Sequence, residues 1–122
     1  QAGDARLAIA STDQSRHLSP FDPMVFAMFA ARAVALVRLG QFAAAAEWAV
    51  RGAARPNAHV HIRAIAASCL ALAGRMEEAG TYVTAARKAA PDYRIENLLR
   101  AFRFAPDTAT LFSRCAARIG FN

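Results

Sequence analysis

The chain has 122 residues and a formal net charge of +6; alanine carries much of its 56% hydrophobic content, beside a charged fraction of 20%. That length suits one core and not two, and the balance excludes a disordered chain. Arg32, Arg38, Glu47 and Arg51 break the longest apolar region, so no run of about 18 apolar residues could form a membrane span, and there is no signal peptide.

The first segment, residues 1–20, carries Gly3, Ala8 and Pro20, a spacing that recurs farther on. The link Ser19-Pro20-Phe21-Asp22-Pro23 follows and reads as a rigid turn, because proline restricts itself and the residue before it. Phe26 to Leu39 is apolar at helical spacing and ends on Gly40, which supplies the left-handed conformation that stops a helix. A second helix runs from Phe42 to the neighbourhood of Pro56. Val60 to Ala73 is again helical in period and stops on Gly74, and a further helix closes at Pro91.

Shifted by 34 residues, Ala30, Ala33, Leu36, Gly40 and Ala45 fall on Ala64, Ala67, Leu70, Gly74 and Ala79, while Phe42 falls on Met76 and Trp48 on Tyr82. The placement of these matches is what persuades. Ala33 and Ala67 before the glycines, and Ala45 and Ala79 after them, are small enough to let two antiparallel helices approach closely. Leu36, Leu70, Phe42 and Met76 fill the space beside those contacts. Gly3 and Ala8 keep the five-residue offset of Gly40 and Ala45, so half a repeat precedes, with register lost by three residues at the link.

After Pro91, Asp92 to Phe104 carries Ile95, Leu98, Leu99 and Phe102 at helical spacing. Ala105-Pro106-Asp107 reads as a break, with Asp107 or Thr108 capping a last helix from Thr110 to Ile119.

A 34-residue unit of small residue, Leu, Gly, aromatic or Met, Ala and Pro resembles the tetratricopeptide repeat (TPR). The resemblance implies an all-α fold: antiparallel helical hairpins stacked as a short right-handed TPR superhelix of about seven helices. One domain over 1–122 is expected, with a half repeat at 1–20, repeats at 24–57 and 58–91, and C-terminal capping helices at 92–122. Two positions depart from the family pattern. Arg32 stands in the first repeat where a leucine is usual, and Arg63 in the second where a large apolar residue is usual.

From Leu18 onward the chain is also similar to the C-terminal TPR tails of bacterial class III adenylate/guanylate cyclases and related winged-helix regulators. The shared words are Leu-Ser-Pro-Phe-Asp-Pro (18–23), Arg-Leu-Gly-Gln-Phe (38–42), Ala-Gly-Arg-Met-Glu-Glu-Ala (73–79) and Phe-Ser-Arg-Cys-Ala-Ala-Arg-Ile-Gly-Phe (112–121). The chain begins inside a repeat, which points to a piece of something longer. The resemblance implies a cytoplasmic regulatory module of a bacterial signalling protein, with the catalytic or DNA-binding domain upstream.

Chemistry finds little footing. Cys69 and Cys115 lie on apolar helical faces with no metal or redox spacing and read as buried thiols. Nothing in the spacing brings either to His17, His59 or His61 as a nucleophile and base. On a helix His59 and His61 point about 200° apart, a poor metal pair. Glu77 and Glu78 fall in a first helical turn, where the dipole stabilises carboxylates. No catalytic residue, cofactor or metal is expected.

Fourteen arginines and one lysine face nine acids, but the cations do not form a stripe. Arg51, Arg55, Arg87 and Lys88 sit near helix ends, where they offset the dipole, so no nucleic-acid partner is expected.

In TPR arrays the first helix of each hairpin lines a concave groove where partners bind. The resemblance places Ala27, Ala30, Ala31, Val34, Val37 and Arg38 there from the first repeat. From the second it places His61, Ala64, Ile65, Ser68, Ala71 and Leu72, and from the following helix Ile95, Leu98, Leu99 and Phe102. Such a groove is apolar and nearly uncharged. The lysines and asparagines that clamp a terminal carboxylate in chaperone-binding relatives are replaced by Ala30, Val34, Ala64 and Ser68. An apolar groove open to water calls for a cover. The candidates are the chain's own final helix, through Leu111, Phe112, Cys115 and Ile119; a second copy in a homodimer; and a protein or peptide partner such as an amphipathic helix. A purely architectural or dimerising segment with no separate ligand is the alternative.

Overall fold

The computed structural model describes residues 23–55 and 58–122. These residues form six helices: α1 (Pro23–Arg38), α2 (Phe42–Ala53), α3 (Val60–Leu72), α4 (Met76–Ala89), α5 (Ile95–Ala101) and α6 (Pro106–Ile119). The protein is all-α, with no strand among the described residues. The half repeat expected over 1–20 lies outside them, as do Ser19 to Asp22 of the proline link and Pro56.

The two glycine stops recur in the backbone. At the end of α1, Gly40 has φ +76°, the Gly40 N–H donates to Val37 O at 3.0 Å and the Gln41 N–H to Leu36 O at 2.9 Å. At the end of α3, Gly74 has φ +81°, its N–H donates to Ala71 O at 3.0 Å and the Arg75 N–H to Leu70 O at 2.8 Å. Both are Schellman stops, which satisfy the last carbonyls of a helix through a left-handed glycine. Three-residue links of this kind send the chain straight back, so α1 packs on α2 and α3 on α4 as antiparallel hairpins, and α2 packs on α3 to join them.

The hairpin contacts are made by alanine. Ala33, Ala45, Ala46, Ala49, Ala64, Ala66, Ala67 and Ala79 have no exposed surface. Gly52 allows a still closer approach: a Cβ there would lie 2.9 Å from the Phe29 Cβ and 3.1 Å from the Ile62 Cγ1, so α1, α2 and α3 meet at that point with no room for a methyl group.

Three boundaries differ from the sequence expectation, each for a local reason. Pro23 opens α1 instead of belonging to the link, and Pro106 opens α6 instead of ending a segment. Proline is tolerated in a first turn because the N–H it lacks would have no partner there. The third difference is Phe102. The helix expected over Asp92 to Phe104 is only Ile95–Ala101, and Phe102 is extended, with φ −128° and ψ 148°.

Helix α6 folds back on α3 and α4 and reaches α1. Phe112, Cys115 and Ala116 are buried beneath it, with Leu111 and Ile119 half-buried. Gly120, at φ +80°, then stops the helix, and the Phe121 carbonyl accepts from the Ile95 N–H at 2.8 Å, closing the chain onto the start of α5.

Candidate functional site: an apolar groove between α1 and α3

Helix α1 turns one stripe outward beside α3. Ala27, Ala31 and Arg38 are exposed, Val34 is half-buried and Ala30 lies at the floor. Ile65 and Ile62 of α3 complete the floor, and the extended segment Phe102-Arg103-Phe104 forms the far wall. Two adjoining hollows result. One, of about 280 Å³, is bounded by Ala27, Ala30, Ala31, Val34, Arg38 and Ile65 together with the wall. The other, of about 260 Å³, continues past Phe26, His59 and His61.

The wall is held by aromatic contacts. The Phe102 ring meets the His61 ring edge-on at 5.6 Å and Phe104 at 5.8 Å, and Phe104 meets buried Phe112 edge-on at 5.2 Å. Behind His61, its Nδ1 lies 2.9 Å from the Tyr93 hydroxyl. Burial lowers the His61 pKa, with a smaller push from His59, and burial raises that of Tyr93. A neutral imidazole and a protonated phenol follow, joined by one hydrogen bond between Nδ1 and the hydroxyl. Tyr93 packs edge-on against Phe121 at 5.5 Å, Arg87 stacks over Phe121, and the Arg87 Nε donates to the Tyr93 carbonyl at 3.4 Å.

His59 corrects the projection of two histidines facing apart. It is not on the helix but caps it, with φ −67° and ψ 150°, and its Nδ1 accepts from the His61 N–H at 3.2 Å. The two rings therefore come together at 4.7 Å. Among the described residues, no group of three His, Cys, Asp or Glu side chains stands close enough to hold a metal.

The residues expected to line one groove separate into two sets. Ala27, Ala30, Ala31, Val34, Arg38, His61, Ile65 and Phe102 border the hollows. Val37, Ala64, Ser68, Ala71, Ile95 and Leu98 are interior, and Leu72 and Leu99 are half-buried away from both hollows. Ser68 is accommodated in the interior because its hydroxyl donates to Ala64 O at 2.9 Å. Sequence reasoning missed Arg103 and Phe104, whose signal is the apolar-charged-apolar alternation of Phe102, Arg103 and Phe104 between a helix and a proline.

Cys69 and Cys115 are both free and buried. Burial pushes both thiols up, and only Cys115 is drawn partly back by Arg118, so neither has the surroundings of a reactive thiolate.

On the other side of the first hairpin, Arg32 explains its departure from the usual leucine. Its guanidinium lies 3.8 Å over the Trp48 ring, which Arg51 also approaches at 4.7 Å, so the arginine packs as a flat group on an aromatic face. Among the described residues no helix is long and apolar enough to cross a membrane. No protein-family model, curated protein or solved structure matches the chain.

Proposed function

We propose that the chain is a non-catalytic TPR module, the cytoplasmic regulatory part of a larger bacterial signalling protein, which binds a protein segment in the groove between α1 and α3. One observation carries the reading: two hairpins whose stops recur 34 residues apart leave an apolar groove between their first helices, with Ala27 and Ala31 exposed on its rim. The TPR assignment rests on that spacing and on the small residues in register at the hairpin contacts. The cyclase or winged-helix parentage rests on the words at 18–23 and 112–121 alone.

An open apolar groove favours an amphipathic occupant, because water gains nothing there and a partner's apolar side chains do. The test is fluorescence anisotropy of a stapled amphipathic helix with leucines at i, i+3, i+4 and i+7. Binding should be lost in Ala31→Glu and kept in Ala43→Glu, on the exposed face of α2. Equal binding by both variants would sink the groove.

A specific observation favours a second, architectural reading for part of the surface. Because α6 already covers α3 and buries Phe112 and Cys115, that side of the array is filled by the chain itself. Light scattering separates this from self-association: an architectural segment stays monomeric at all concentrations, and so does its Val34→Glu variant.

A further inference from the structure

We infer that the occupant of the α1–α3 groove is an acidic amphipathic helix of about three turns, whose carboxylates meet Arg38 and Arg103. This rests on the groove-docking reading above and adds the chemistry of the partner.

The observations are of charge, length and backbone. Arg38, in the last turn of α1, and Arg103, in the extended wall, border the same hollow, and both are exposed. Among the described residues neither makes an ion pair; those present join Arg75 to Glu78 and Arg100 to Glu96. Among the described residues no Asp or Glu borders either hollow. Two guanidinium groups that border one apolar hollow, with no ion pair among the described residues, attract an anion, and the excess of +6 over the whole chain acts in the same direction.

Ala27 to Arg38 spans about 16 Å along α1, the length of about eleven helical residues. One wall is helix α1, whose backbone is satisfied, the other is the extended segment Phe102 to Phe104, and the floor is aliphatic. An extended peptide would leave its own N–H and C=O groups unpaired against that floor, whereas a helix satisfies them internally. A free acyl chain would leave its outer side in water, where an amphipathic helix presents polar residues. The occupant therefore seats leucine-like side chains over Ala30, Val34 and Ile65 and carries its acids where they meet Arg38 and Arg103.

The experiment uses three probes with the full chain: a fluorescein-labelled stapled helix with apolar residues at i, i+3, i+4 and i+7 and two glutamates at one end, the same helix with two lysines there, and dodecanoate as competitor. Exposed ion pairs are weak individually, so the glutamate helix is expected to bind about five- to tenfold tighter than the lysine helix at low salt, the gap closing as salt rises. In Arg38→Glu/Arg103→Glu the preference should invert, and in Arg38→Gln/Arg103→Gln it should vanish, with circular dichroism verifying that both remain helical. If both helices bind equally to the wild type and Ala31→Glu removes both, the acidic preference is overturned while the groove stands. If neither helix binds, the docking reading falls and takes this inference with it. Binding of the glutamate helix that ignores both double variants, or binding of dodecanoate alone, overturns the inference as well.

Discussion

The two hairpins and the C-terminal segment solve the same packing problem with opposite materials. From α1 to α4 most of the buried residues are alanines, with Gly52 where three helices converge, so the helices approach closely. From Tyr93 onward the contacts are made by rings: Tyr93, Phe102, Phe104, Phe112 and Phe121 form a chain of edge-on and tilted pairs that ties α5, α6 and the groove wall to His61. A core of small residues is vulnerable to added atoms, and a core of rings to removed ones. The groove lies on the seam, with alanines on one rim and aromatic residues on the other.

Breaking the aromatic side should have the largest effect. Phe112 is fully buried, and Phe112→Ala is expected to cost about 3–5 kcal/mol, read from the urea midpoint, and to loosen the wall through Phe104. A loss below about 1 kcal/mol would mean that α6 is not packed as described. The hairpin side should respond to the opposite change. Gly52→Val places a branched side chain where even a Cβ is too close to Phe29 and Ile62, and it should destabilise by about 1–3 kcal/mol despite the better helix propensity. Gly80 sharpens the point. It is also inside a helix, but nothing lies within 4 Å of a Cβ built there, so Gly80→Ala should stabilise by about 0.5–1 kcal/mol. If the two glycines responded alike, closeness of backbone would not be what distinguishes Gly52.

The smallest effect expected is a pH dependence at the seam. The His61 pKa is lowered in the folded protein, so the unfolded chain binds more protons between the lowered value and the ordinary one near 6.5. Stability is therefore full above about 6.5 and is lost as pH falls from there towards the lowered value. The groups facing His61 are His59, the Tyr93 hydroxyl and the Phe102 ring. Thermal melts from pH 7.5 to 5 should show this decline in the wild type and a flatter profile in His61→Phe. An unchanged slope in the variant would assign the decline to another group.

The hairpins were legible because their stops are chemical: only a residue at ease with positive φ ends α1 and α3 that way, and Gly40 and Gly74 announce it. Alanine spacing around them then identified Ala33, Ala45, Ala67 and Ala79 as contacts. The groove was half legible. Residues on α1 follow from helical period once the helix is known, but period cannot tell a residue bordering an open hollow from one beneath another helix. Ser68 and Ala71 on α3 share the apolar periodicity and are interior. Phe102 was misplaced because Ile95, Leu98, Leu99 and Phe102 fit a helix locally; its extended backbone accompanies the contacts with His61 and Phe104, which are tertiary. His59 was misjudged for a similar reason, since a cap and a first-turn residue look alike in a periodic count.

The central claim is that the seam between alanine and aromatic packing is a docking groove. Backbone amide NMR of the isotope-labelled chain, titrated with the stapled glutamate helix, tests it most directly. The predicted footprint is Ala27, Ala31, Val34 and Arg38 on α1, Ile65 on α3 and the wall from Phe102 to Phe104. A footprint on the opposite side of the hairpins, around Trp48 and Arg51 or along α4 at Tyr82 and Ala85, would contradict the account.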